Sequence, residues 1–180
     1  MVRSTTAYGL VLFAVIVVSG CGSSSDDPVD TSNISMLEGT WVGECYDFAD
    51  GDFTGFADWV EFYDGSNYRA LLSIYDSQDC SGAYLAQKEM LGTFSVGSSL
   101  MTNSGVTAYQ MDLSVGQVSV DGQIAGVDLS LYGYDAGSML YDIFYIDGDN
   151  LYFGDYDTVD PSSAENRPTD IDFTVIYVKQ

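Results

Sequence analysis

Histidine is absent from the 180-residue sequence, and lysine and arginine together number only five. Without histidine the chain cannot build a Ser-His-Asp triad or a Cys-His pair, which activate the nucleophiles of many hydrolases. Zinc and redox-metal sites also lose their usual nitrogen ligand. Phosphate binding needs clustered basic residues, whereas here 27 acidic residues give a net charge of −22. We therefore expect a non-enzymatic protein that does not bind nucleic acid.

Cysteine is scarce as well, and the first of the three cysteines lies where an apolar run gives way to a polar one. Arg3 is the only charged residue before Cys21, and residues 10–18 form an unbroken apolar stretch followed by Ser19 and Gly20. A charged start, a short apolar middle and a small-residue exit are typical of a secretory signal peptide. The run is shorter than the roughly 20 apolar residues that span a bilayer.

The sequence Val18-Ser19-Gly20-Cys21 resembles the lipobox of bacterial lipoprotein precursors. The resemblance implies that residues 1–20 are removed as a signal peptide and that Cys21 carries acyl chains such as palmitate. Gly22 is not the aspartate associated with inner-membrane retention, so the resemblance further implies the outer membrane of a Gram-negative bacterium. The alternative is an ordinary signal peptide with an incidental cysteine.

The mature chain divides into a short linker and one domain. Residues 21–35 are polar and acidic with a single proline, a composition typical of a flexible tether. Residues 36–180 have the size of one ordinary domain. The other two cysteines, Cys45 and Cys80, lie within it. In an exported protein with Cys21 acylated, the remaining even number predicts a disulfide.

Alternating apolar and polar residues predict an all-β domain of about eight to ten strands. Residues 109–115 alternate in this way, and residues 127–131 and 171–177 repeat the pattern. Asp-Gly pairs within 63–68 and 146–152 predict tight turns. Only one short helical turn is expected, within residues 156–166. Many short strands indicate a barrel or a sandwich, and the glycines inside the strands favour a barrel because closure needs sharp bends.

The first strand contains Gly39-Thr40-Trp41, which resembles the Gly-x-Trp start of lipocalins. This resemblance implies a single antiparallel up-and-down barrel in which Gly39 and Trp41 close one end. In that family a basic residue near the end of the last strand stacks on the indole. Lys179 has that position here in place of the usual arginine, and it would make the cation–π contact.

A second resemblance covers most of the mature domain. The segments "GTWVGEC" (39–45) and "FYDGSNYRALLSIYDSQDCSGAY" (62–84) are similar to a group of lipocalin-like lipoproteins of Gram-negative bacteria. "LYFGD" (151–155) and "RP" (167–168) match the C-terminal part of that group. The resemblance implies a fold and a cellular address, and no activity.

The chain is rich in aromatic residues, with 14 tyrosines, nine phenylalanines and two tryptophans. An eight-stranded barrel has an interior that side chains fill or that holds one small ligand. We expect a small apolar or amphipathic ligand, bound by aromatic side chains on the predicted strands: Trp59, Tyr75, Tyr109 and Tyr141. The alternative is a filled barrel that serves as a structural or protein-interaction module.

Two further alternatives use the abundant carboxylates. Aspartates in predicted loops offer hard oxygen ligands for calcium, namely Asp47, Asp50, Asp52, Asp147 and Asp149, although Asp-Gly also suits a hairpin turn without metal. A pair of carboxylates is also the machinery of glycoside hydrolysis. Asp58, Glu61, Asp112 and Asp142 are candidates for such a pair among many acids.

Overall fold

A computed structural model describes residues 31–46, 55–123, 128–129, 133–157 and 159–180. Within these residues the chain forms one helix and eight strands: α1 (Thr31–Leu37), β1 (Gly39–Gly43), β2 (Gly55–Tyr63), β3 (Asn67–Tyr75), β4 (Ala86–Met101), β5 (Thr107–Gly122), β6 (Met139–Asp147), β7 (Asn150–Phe153) and β8 (Tyr177–Lys179). Each strand pairs antiparallel with the next, and β1 pairs with β8 to close the barrel. The expected all-β, up-and-down barrel is confirmed.

The barrel interior is built from every second residue of each strand. In β2 the inward residues include Val60 and Phe62, which are buried, while Glu61 between them lies opposite Arg69 of β3. Phe62 packs with Trp41 and Phe144 in the largest core cluster. Period-two alternation therefore sets the two faces of the sheet, as expected of half-buried strands.

Helix α1 closes one end of the barrel. Leu37 is fully buried and Ile34 packs against the same core cluster as Trp41. Residues three apart lie on one face of a helix, so this short segment buries an apolar edge. The helix begins at Thr31, inside the segment 21–35 that composition assigns to the tether, so the folded part begins earlier in the chain than expected.

Glycines mark the bends in the long strands. The β4–β5 pairing shifts register between Leu91 and Gly92 and again between Val96 and Ser99. A Cβ atom added at Gly92 would clash with the Ser114 carbonyl oxygen and lie 2.6 Å from Tyr68 Cε1. Close backbone approach therefore requires glycine at this bend.

In two segments predicted as strands, most of the described residues lie outside the strands of the barrel. Asp128 and Leu129, the described part of 127–131, lie outside the strands, and Leu129 is buried against Ile74. In 171–177, Ile171 makes only an isolated bridge to Gly154. Asp172 Oδ1 accepts hydrogen bonds from the Thr174 backbone nitrogen (2.8 Å) and hydroxyl (2.6 Å), which turns the chain before β8.

Residues 160–176, the C-terminal segment, run over the outer surface of β5, β6 and β7, and Asp172 and Val175 within it border the barrel cavity. Ile171 packs with Ala108, Ile143 and Tyr152 in a second apolar cluster. The helical turn expected within 156–166 is confirmed as a 3₁₀ turn, Ala164–Asn166. This covering segment allows the outward residue Ile143 to be as fully buried as the inward residues.

Candidate functional site

The barrel contains a cavity of about 440 Å³. Most of its wall is apolar and comes from inward positions, including Phe56, Val60, Ala70, Leu72, Met90 and Leu140. Small-molecule sites in proteins are concave, mostly apolar and about 300–1,000 Å³ in volume. The described barrel is therefore not filled with side chains at every layer.

Polar groups interrupt the apolar wall of the cavity. Two are carboxyl groups, on Asp58 of β2 and Asp142 of β6. Three are tyrosines, namely Tyr134, Tyr156 and Tyr177. A mainly apolar pocket with a few converging polar groups is the usual composition of a ligand site.

Asp142 is almost completely buried, at 2% exposed, and is well supplied with hydrogen-bond donors. Its Oδ1 atom accepts from the backbone nitrogens of Ile143 (2.6 Å) and Gly154 (3.1 Å). Tyr156 also bonds to this carboxyl group. Burial raises the pKa of Asp142 to about 6, although these hydrogen bonds and the charge of Arg167 act in the opposite direction. Asp142 is thus fixed in place by the chain itself.

Glycine is needed where the backbone of β7 ends beside Asp142. A Cβ atom added at Gly154 would lie 2.7 Å from Asp142 Oδ1 and 2.6 Å from Pro168 Cβ. Real Cβ atoms do not approach backbone and side-chain atoms so closely, so a larger residue would displace the carboxyl group or the C-terminal segment.

Asp58 has far fewer partners. The Tyr177 hydroxyl donates to Asp58 Oδ2 over 3.3 Å, which is long for an O–H···O bond. Asp58 Oδ1 is buried, and no described residue makes a hydrogen bond to it. Burial raises the pKa of Asp58 to about 6, opposed only by the bond from Tyr177. Gly43 lies beside this pair, since a Cβ atom there would approach the Asp58 carbonyl oxygen to 3.2 Å and Tyr177 Cε1 to 3.4 Å.

The basic residues in the described part of the chain interact with other groups. Arg69 pairs with Glu89, and Arg167 Nη2 lies 2.6 Å from Asp112 Oδ1. The Lys88 ammonium is 4.0 Å from Asp135 Oδ1, and that of Lys179 lies over Trp41. Among the described residues, no ion pair connects a basic side chain to either carboxyl group of the cavity.

The four aromatic residues expected to bind a ligand are not brought together. Trp59 borders the cavity, but its ring lies 5.3 Å from the Arg69 guanidinium, on the opposite face of β2 from Val60. Tyr109 stacks on Phe144 with ring centres 5.6 Å apart. Tyr141 lies under Arg167, and Tyr75 does not line the cavity.

The polar residues of the cavity were only partly foreseen. Of the four acid–base candidates, Asp58 and Asp142 line the cavity, whereas Glu61 and Asp112 do not. Tyr134 and Tyr156 come from connecting segments without strand periodicity, so the sequence contains no local signal for them. Tyr177 is the last member of the alternating series 171–177 and faces inward from β8.

The metal candidates divide into two groups. Asp47, Asp50 and Asp52 lie outside the described residues. Asp147 and Asp149 are exposed in the β6–β7 turn. Across the described ranges, no group of three or more histidine, cysteine, aspartate or glutamate side chains could hold a metal ion.

The closed end of the barrel is centred on Trp41, which is 1% exposed. Its Nε1 atom donates to the Leu37 carbonyl over 2.7 Å, and Lys179 Nζ lies 4.9 Å from the ring centre. Gly39 has a positive φ of 125°, and a Cβ atom there would lie 3.0 Å from Lys179 Cε. The three residues implied by the lipocalin resemblance therefore lie together at this end.

The disulfide between Cys45 and Cys80 is confirmed. It connects the chain just after β1 to the loop after β3. A Cβ atom added at Gly55, the first residue of β2, would lie 3.1 Å from Cys80 Sγ and would clash with the Ser77 carbonyl oxygen. The disulfide therefore packs directly on the start of β2.

Cys21 and the signal segment 1–20 lie outside the described residues. In the part of the chain that is described, no helix has the length and apolar character to cross a membrane. Neither a scan against protein-family models nor a search of curated proteins gives a match for this chain.

Proposed function

We propose that this protein is a non-enzymatic binding protein that holds one small amphipathic molecule in its barrel cavity. The observation that carries the proposal is the cavity of about 440 Å³, with apolar walls and two carboxyl groups, on Asp58 and Asp142. A barrel that served only as a structural or interaction module would gain stability by filling this space, because interiors pack to high density. Small inward residues such as Ala70 instead leave it open.

We further propose that the barrel is attached to the cell envelope through acyl chains on Cys21, at the outer membrane of a Gram-negative bacterium. The support is the apolar run 10–18 followed by Val18-Ser19-Gly20-Cys21. Each buried methylene contributes about 0.8 kcal/mol, so two or more acyl chains hold a protein at a membrane. The binding site would then act on molecules that pass through the envelope.

Binding of an apolar fluorescent probe, 1-N-phenylnaphthylamine, tests the cavity. We expect the wild-type protein to enhance its fluorescence and Ala70→Met, which adds bulk to the cavity wall, to abolish this enhancement. Ala57→Met is the matched control, because Ala57 lies on β2 between the inward positions Phe56 and Asp58. The control should bind the probe as the wild type does.

Two results would contradict the proposal. One is an absence of probe binding by wild-type protein together with no co-purifying molecule in native mass spectrometry. The other is equal binding by the wild type and Ala70→Met, which would place the probe outside the barrel.

A further inference from the structure

Asp58 is a partly buried residue whose hydrogen-bonding capacity is largely unused, because its buried Oδ1 atom has no hydrogen-bond partner among the described residues. A carboxylate accepts about four hydrogen bonds, whereas Asp58 receives one, over 3.3 Å, from Tyr177. Asp142, in the same cavity wall, is held by two backbone nitrogens and Tyr156. An inward position on a strand normally carries an apolar residue, and a buried polar atom without a partner is unfavourable. The structure therefore has an unfilled acceptor at the wall of a ligand-sized space.

The charge of the protein restricts what can fill this acceptor. Among the described residues, no ion pair joins Asp58 to a basic side chain, so none of these side chains neutralises its charge directly. A second carboxyl group, Asp142, lines the same cavity and would oppose an anionic ligand. The net charge of −22 attracts cations to the protein and repels anions. A fatty acid or a phosphate ester is disfavoured on each of these grounds.

A metal ion fits the cavity less well than an organic cation. Calcium takes six to eight oxygen ligands, and the described residues contain no group of three or more metal-ligating side chains. An ammonium group needs fewer partners, since it donates at most three hydrogen bonds. The apolar wall around Val60, Leu72 and Met90 suits a hydrocarbon or aromatic body attached to it. Tyr177 and Phe153 add aromatic rings that attract a cation.

We propose that the cavity binds a small amine with an apolar or aromatic body, and that Asp58 is the counter-ion of its ammonium group. This inference rests on the proposed binding function and adds the chemical class of the ligand. The Asp58 carboxyl group turns toward the amine by rotation about its side chain, which breaks only the long bond from Tyr177. Asp142 stays fixed by its backbone donors and contributes negative potential.

Three probes with the same body and different charge test the proposal: 4-phenylbutylamine, 4-phenylbutanol and 4-phenylbutanoate. Affinities are measured by titration calorimetry on the full chain in detergent at pH 7.5. The Ala70→Met variant, whose cavity should be blocked, measures the heat that comes only from probes entering the detergent micelles. We expect the wild type to bind the amine at least tenfold more tightly than the alcohol, and the carboxylate most weakly.

The variant Asp58→Asn then tests whether Asp58 causes the preference for the amine over the alcohol. This variant should lose at least tenfold in amine affinity and keep the alcohol affinity of the wild type, which also shows that its barrel is folded. Asp147→Asn removes the same charge from the exposed β6–β7 turn and should leave all three affinities unchanged.

The outcomes separate the two proposals. Equal affinity of the wild type for the amine and the alcohol overturns the amine assignment and leaves the binding function standing. This comparison needs no variant, so it decides the matter even where Asp58→Asn does not fold. Unchanged amine affinity in a folded Asp58→Asn protein also overturns the assignment. If none of the three probes nor the apolar fluorescent probe binds, the proposed function fails as well.

Discussion

Trp41 and Asp58 both occupy inward positions in the barrel, and burial has opposite consequences for them. Trp41 removes a large apolar surface from water, and its polar Nε1–H is satisfied by the Leu37 carbonyl. Each Å² of apolar surface buried in this way contributes about 25 cal/mol. Asp58 removes a carboxyl group from water and receives one long hydrogen bond in return. Trp41 therefore stabilises the barrel, whereas Asp58 reduces its stability and supplies a polar group to the proposed ligand site.

Replacement of Trp41 by alanine should lower the free energy of unfolding by about 3–5 kcal/mol, the usual cost of truncating a large buried aromatic residue. The variant loses the core contacts of the indole, its hydrogen bond to Leu37 and its contact with Lys179. Trp59→Ala is the control, because this second tryptophan is only half-buried and lies against Arg69. Urea unfolding compares the two, and equal losses would mean that Trp41 does not close the barrel.

The pKa of Asp58, raised to about 6 by burial, predicts how stability depends on pH. In the unfolded chain an aspartate has a pKa near 3.9, so the folded state binds the proton more tightly. The contribution of this group to the free energy of unfolding is therefore greatest below pH 4, and it is lost as the pH rises through about 6. Two pKa units correspond to about 2–3 kcal/mol. Asp142 changes stability in the same direction for the same reason.

Asp58→Asn isolates this effect. The measured quantity is the free energy of unfolding of the variant minus that of the wild type. This difference should be about 2–3 kcal/mol larger at pH 7.5 than at pH 4.5, because the amide has no charge to bury at either pH. Urea midpoints at the two pH values measure this difference. Asp147→Asn, in the exposed turn, should show a difference near zero. A variant that is relatively less stable at pH 7.5 would show that the protein stabilises the Asp58 anion.

The sequence identified residues that belong to short local motifs, and it did not separate the site residues from their background. Trp41 and the Cys45–Cys80 pair stand in small, recognisable contexts. The cavity carboxyl groups stand among 27 acids, and which acid faces inward depends on the register of the barrel. A signal did exist in β2, because Asp58 shares its face with Val60 and Phe62. An acid at an apolar position of an alternating strand is a better indicator than proximity to other acids.

Among the secondary-structure elements, the C-terminal segment shows how tertiary packing replaces strand pairing. Arg167 Nη1 donates to the carbonyl oxygens of Met111 (2.9 Å) and Asp142 (2.6 Å), on two neighbouring strands. Its Nη2 atom pairs with Asp112, and its guanidinium lies 5.5 Å from the Tyr141 ring centre. This one side chain fixes the segment to β5 and β6. Through the Asp142 backbone it also helps to hold the cavity wall.

Arg167→Lys should lower the free energy of unfolding by about 2–3 kcal/mol, because a single ammonium cannot reproduce the planar fork that reaches three acceptors. The matched control is Arg69→Lys on the partly exposed outer surface, where the ion pair with Glu89 is expected to contribute less than about 1 kcal/mol. Thermal or urea unfolding of both variants tests this. Similar losses for the two would show that Arg167 does not anchor the C-terminal segment.

The alternation of apolar and polar residues correctly predicted strands where the alternating residues also pair with a neighbouring strand, as in 109–115 of β5. It failed in 171–177, where the alternating residues do not share one environment. Ile171 is buried on the outside of the barrel, whereas Val175 and Tyr177 line the cavity. The alternating residues of this segment are therefore not all buried: Phe173 is 43% exposed, and the side-chain turn at Asp172 interrupts the strand. Sequence periodicity alone does not reveal such an interruption.

For the molecule as a whole, the acidic surface and the proposed anchor have complementary effects. A net charge of −22 keeps the barrel soluble and is repelled by anionic lipid headgroups. If the protein resides at a membrane, the acyl chains on Cys21 must therefore supply the affinity. The same charge raises the concentration of cations near the cavity, which agrees with the ligand class proposed for Asp58. The proposed anchor would thus set the location of the protein, and the charge would favour cations as its ligands.

Cys21→Ser should release the protein from the membrane fraction or leave it as unprocessed precursor, without loss of the folded barrel. The barrel should be unaffected because its first strand begins at Gly39, well beyond the anchor in the chain. Cells grown with labelled palmitate and then fractionated provide the measurement, with Ser24→Ala in the same polar run as the control. The wild type and the control should be labelled and sediment with membranes, and Cys21→Ser should be unlabelled. A wild-type protein that is unlabelled and fully soluble would show instead that the segment 1–20 is an ordinary signal peptide, and the barrel would then bind its ligand as a free protein.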